Sequence, residues 1–145
     1  MTTNTPTTNN TQTTTVTFGN ALVAGLIGGV IAAIVNVILY FVFQAINGGP
    51  LLVTRPGMAG PDALPLVAVL LLSLVPGLVA GIIYWVLARF TARPDRWFLI
   101  VAALVFIAFF FGPLGAASGI VTILALELMH VGAAVPIVMS LLRRT

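Results

Sequence analysis

Glu127 and His130 stand three residues apart in the run LALELMHVGAAVPIVMSLL, where no other side chain ionises. In a helix that spacing places a carboxyl group and an imidazole on one face. Together they can pair as ions, or share a hydrogen bond as a neutral acid and a neutral ring, and the sequence leaves both open. Intramembrane Glu and His are typical of proton relays and coupled transporters. The alternative is a hydrogen-bonded pair that fixes helix register. A carboxylate at mid-membrane costs about 2.5 to 3.5 kcal/mol even on insertion scales. The face formed by Ile120, Ile123, Glu127, His130, Ala134 and Val138 is therefore expected to point into protein.

Other chemistries find less support. The Glu-x-x-His spacing resembles that of di-iron bundle ligands, but those sites join two such motifs to two further glutamates. Here there is one motif and no second membrane carboxylate, so no metal site is assigned, nor haem ligation through His130. Ser73 is an isolated serine without triad spacing, and no catalytic residue is assigned. The chain has no cysteine, which excludes disulfides and thiol redox chemistry. No cofactor is implied.

The elements that must position Glu127 and His130 are set by composition. Of 145 residues, 60% are hydrophobic and 6% charged, with a mean hydropathy of +1.18. A soluble domain carries roughly a quarter charged residues, so lipid is the solvent. The pI near 10.7 reflects a shortage of acids. The six basic residues are all arginine and form no stripe that would neutralise phosphates, so nucleic acid is not a partner. Residues 1–17, a Thr/Asn tract without charge, read as a disordered tail. It has no positive n-region, so the following helix should remain as an anchor.

Residues 18–145 read as one all-α membrane domain, a transmembrane four-helix bundle. Four stretches can cross about 30 Å of hydrocarbon at about 20 residues each. They run about 18–46, 63–90, 97–111 and 119–142, the third being short enough to borrow Gly112 to Leu114. Arg89, Arg93 and Arg96 surround the second connection and Arg143 and Arg144 follow the last span. The positive-inside bias then puts this end, and both termini, in the cytoplasm. Tyr84, Trp85, Trp97 and Phe98 are expected as an inner aromatic belt, with Tyr40, Phe41 and Phe43 towards the outer one. The Gly/Pro-rich loop NGGPLLVTRPGMAGPD is expected to cap the outer end irregularly, as a connector or a lid over a cavity.

Two features describe how the spans meet. Gly25 and Gly29 on the first helix, and Gly77 and Gly81 after Pro76 on the second, have the small-xxx-small spacing that lets backbones approach. By depth, Asn36 lies about 12 Å inward from Gln44, Ser73 about 13 Å from Leu64, and Glu127 about 13 Å from Ser118. A polar layer of Asn36, Ser73, Glu127 and His130 is therefore expected inside the bundle.

Small drug exporters also have four spans, but their membrane glutamate lies in the first helix, which here carries only Asn36. The chain instead resembles a family of small, uncharacterised bacterial four-helix membrane proteins. The resemblance rests on the Thr-rich tail, the glycine-rich first helix, the turn RFTARPDRW, the hairpin FGPLGAASG and the run LALELMHVGAAVPIVMSLLRR. It covers nearly the whole membrane part. It implies a bacterial plasma-membrane location and no assigned activity, and it would put a shared site at Pro113 and His130. The expected role is a structural or accessory subunit, packing against a second copy or a larger complex through its small-residue faces. The alternative is a small proton-coupled transporter or channel that uses the Glu/His pair.

Overall fold

The structure, a computed structural model, describes residues 16–55, 57 and 59–144. All but Val16 and Thr17 of the expected tail lies outside these residues. The described chain runs α1 (Phe18–Asn47), β1 (Leu52–Val53), β2 (Asp62–Ala63), α2 (Leu66–Phe90), α3 (Pro94–Phe110), α4 (Gly112–Ala116) and α5 (Ile120–Arg144). Four of its helical segments, with α3 and α4 taken together as 94–116, are long and apolar enough to cross a membrane. The fold class is all-α, and the helices imply a lipid environment.

Each boundary has a local cause. Thr17 caps α1, its hydroxyl accepting from the Asn20 amide at 3.2 Å. Gly48 ends α1 in the left-handed region with φ 68°, where glycine meets no Cβ penalty. The second span starts at Leu66 rather than 63, because Ala63 pairs in a strand and Pro65 precedes the helix. The third begins three residues earlier than expected, because Pro94 suits the first helical turn, where its missing N–H costs nothing.

α1 is the central helix and contacts chiefly α5 on one flank and α2 on the other, while α3 is peripheral. The reason is written in its small residues. Along α1, Ala21, Ala24, Gly25, Gly28, Gly29, Ala32 and Ala33 are all buried. Lipid tails are as apolar as Leu, so helices here associate by close packing rather than by escape from water. A methyl group added at Gly25 would fall 2.2 Å from the Gly77 carbonyl oxygen, and one at Gly81 2.6 Å from that of Ala21. Gly28 does the same towards α5, where an added Cβ would sit 2.7 Å from the Ile137 Cα. By contrast α3 buries a single residue, Phe98.

The loop between α1 and α2 departs from the irregular cap expected of it. Leu52 pairs with Ala63 and Val53 with Asp62, and Val53 also bridges to Ala117. Thr54 donates to the Ala116 carbonyl at 2.7 Å and Ser118 to that of Leu52 at 2.9 Å, tying both loops of this end together. Leu51, Val53 and Leu64 are buried against Tyr40, Val69, Ala125 and Met129. The hairpin is thus a plug seated on the helices. Gly and Pro forbid a helix here, but they permit two short strands once a neighbouring loop supplies a third set of backbone partners.

Candidate functional site

The innermost polar contact joins α1 to α2. The Asn36 amide donates to the Ser73 hydroxyl at 3.0 Å, and that hydroxyl donates to the Val69 carbonyl at 2.7 Å. Both residues are buried. Ser73 can serve both bonds because a hydroxyl carries one proton and two lone pairs. The remaining Asn36 oxygen has no hydrogen-bond partner among the described residues and abuts α5, where a Cβ at Gly132 would lie 2.6 Å from it. Asn36 is therefore a three-helix junction, admitted by the missing side chain at 132.

Among the described residues no hydrogen bond joins Glu127 or His130 to that junction or to each other. Both Glu127 carboxyl oxygens are buried without a hydrogen-bond partner among the described residues. The His130 Nδ1–H donates instead to the Leu126 carbonyl one turn back, at 2.8 Å. A carbonyl only accepts, so this bond places a proton on Nδ1 and leaves Nε2 as the nitrogen free for another contact. The expected Glu–His bond is not formed, because the imidazole reaches its own backbone first.

The expected face of α5 is covered in part, with both Glu127 carboxyl oxygens buried, but it is not the face turned to α1. Residues buried on α5 include Thr122, Ala125, Met129, Ile137, Ser140 and Leu141, whereas Ile120 is 67% exposed and Glu127, His130, Ala134 and Val138 are only partly buried. At about 100° per residue, the Glu127 face lies about a third of a turn from the face on α1. The residues that let α5 touch α1 decide its rotation. Ser140 donates to the Ala24 carbonyl at 2.7 Å, and Gly28 meets the backbone at Pro136 and Ile137.

The single polar layer accordingly separates into two levels. Asn36, bonded to Ser73, meets α5 at Gly132, about 3 Å along the helix from His130 and about 7 Å from Glu127. Glu127 lies at the level of the apolar plug, in the same turn as Ala125 and Met129. Tyr40 closes that level by donating to the Leu64 carbonyl at 3.0 Å. Gly25 and Gly29 face α2, and Gly77 and Gly81 face α1, so these four glycines pack within the chain. Pro113 is buried in α4, away from His130 in sequence and element.

At the opposite end, Tyr84 and Phe98 are 2% exposed and stack edge to face with centroids 5.3 Å apart. They belong to the core rather than to an aromatic belt. The Tyr84 hydroxyl bonds the Asp95 carboxylate. Trp85 meets Phe18 at 5.1 Å, and Trp97 remains half exposed.

Two contributors went unread in the sequence, Gly28 and Ser140, while Gly132 acts as a contact point for Asn36. Gly28 was legible beside Gly29, since adjacent glycines on a helix serve two different neighbours. Ser140 follows Gly132 by two turns, a small-polar spacing that marks a contact face.

Of the described cavities, one lies at the α2–α3 turn, lined by Ala92, Arg93, Arg96, Trp97 and Ile100. Another is an apolar groove between α1 and α2. Glu127 and His130 line neither. No cluster of three or more metal-ligating side chains occurs among the described residues.

No curated protein and no solved structure matches the chain. A family profile does, and it spans the helices, the hairpin and both polar levels. On that match, over residues 16–145, the chain belongs to DUF6069, a family of unknown function.

Proposed function

We propose that the protein is a multi-pass accessory subunit of a bacterial plasma membrane, with the arginine-rich end and both termini in the cytoplasm. The observation that carries this reading is how the buried polar side chains are used. Asn36, Ser73, Tyr40 and Ser140 each tie one helix to another helix or to the hairpin. None of them lines a described cavity. The small-residue faces are likewise consumed between α1, α2 and α5. A partner, whether a second copy or a larger complex, meets the chain on α3, whose side chains are almost wholly uncovered.

A second reading has one observation in its favour. The Glu127 carboxyl is buried without a bonding partner, which is expensive unless another arrangement of the chain supplies one. In that reading Glu127 is a proton-coupled carrier site.

Reconstituted vesicles separate the two. An accessory protein gives no dissipation of an imposed pH gradient beyond empty vesicles, and Glu127→Gln changes nothing. The chain lacks cysteine, so Leu104→Cys on exposed α3 is a clean handle, and membrane cross-linking from it should yield a discrete adduct. A proton flux abolished by Glu127→Gln in folded protein, with no adduct from α3, would overturn the accessory role.

A further inference from the structure

We propose that the α2–α3 turn holds the phosphate of an anionic lipid headgroup, through the guanidinium groups of Arg93 and Arg96. The two line a cavity of about 370 Å³ with Trp97 and Ile100. That volume falls in the range of small-ligand sites, about 300 to 1,000 Å³.

No ion pair among the described residues holds the two guanidinium groups of this pocket. The one acid nearby in sequence, Asp95, accepts from the Tyr84 hydroxyl and can offset only one of the two positive charges. Arg89, Arg93 and Arg96 form no ion pair among the described residues, whereas Arg55 at the far end pairs with Asp62 at 2.8 Å. A guanidinium presents a fork of donors suited to two phosphate oxygens at once. Arg93 immediately precedes Pro94, the first residue of α3, so the two guanidinium groups flank the first turn of that helix.

The pocket grades from charged to apolar along α3, and this decides the source of the phosphate. Arg93 and Arg96 come first along the chain. A headgroup held at the turn brings Trp97, half exposed, to the level that indoles favour, with Ile100, 39% exposed, next along the helix towards the acyl region. Free inorganic phosphate has nothing to place against the Trp97 and Ile100 walls, whereas a glycerophospholipid carries a chain that continues along them.

The test uses delipidated full-length protein in nanodiscs, with bound lipid counted by native mass spectrometry. Phosphatidylglycerol is compared with phosphatidylcholine of the same acyl chains. The wild type should retain the anionic lipid preferentially, and each of Arg93→Gln and Arg96→Gln should weaken that preference about fivefold. Arg143→Gln, at the same end but outside the pocket, should leave it within twofold. Thermal unfolding in detergent checks that every variant is folded. Retained preference in the folded double variant would overturn the proposal. So would equal losses from Arg143→Gln, which mark a diffuse field, or displacement of the lipid by millimolar inorganic phosphate.

Discussion

Gly25 and Gly77 have no room for even a methyl group, since each faces the other's carbonyl oxygen at under 2.5 Å from where a Cβ would stand. Gly25→Ala should lower stability by about 1 to 3 kcal/mol, as overpacked sites do. Gly112→Ala, which meets nothing within 4 Å, should not measurably shift the thermal midpoint. The Asn36–Ser73 contact yields an asymmetric prediction. Ser73→Ala strands a buried amide and should cost about 1 to 2 kcal/mol. Asn36→Leu removes that amide together with an oxygen that already lacks a partner, and should cost less. Equal losses would mean that the oxygen is bonded in the membrane. At this scale the sequence was legible as to depth: residue counting put Asn36 and Ser73 far enough from the ends of their helices to meet. It was not legible as to bonding. An i, i+3 spacing brings Glu127 and His130 to one side of a helix, but the choice between a neighbouring carboxyl and a carbonyl one turn back is made by the rotamer.

Among elements, the hairpin is held by burial more than by charge. Arg55 and Asp62 are both substantially exposed, and such pairs contribute at most about 1 kcal/mol. Leu51 is fully buried beneath the strands. Leu51→Ala should therefore destabilise by about 2 to 5 kcal/mol and open residues 51–64 to hydrogen exchange. Arg55→Ala should leave both stability and exchange nearly unchanged. The helices were legible because lipid demands length and apolarity over many consecutive residues. Two-residue strands offer no period to detect, and their pairing depends on Ala116 and Ser118, more than fifty residues onward. Glu127 is buried without facing α1, because Gly28, Gly132 and Ser140 set the rotation of α5 by close approach.

For the whole molecule, the spans place the hairpin and the α2–α3 turn at opposite ends, with five of the six arginines at the latter. Single cysteines at Ala59 and Ala92 test the proposed orientation. In intact cells a membrane-impermeant maleimide should label the first, and the second only after lysis. The reverse pattern would invert the topology. The bundle's layout also bears on the order in which it assembles. α1 leaves the ribosome first, yet the groove along Ala24 and Gly28 fits α5, which leaves last. Until the 25 residues of α5 arrive, that groove is open to lipid or to whatever escorts nascent helices. A chain stalled before Ile120 would hold α1 and α2 zipped along their glycines while offering a ready berth for any stray helix with a small-residue seam.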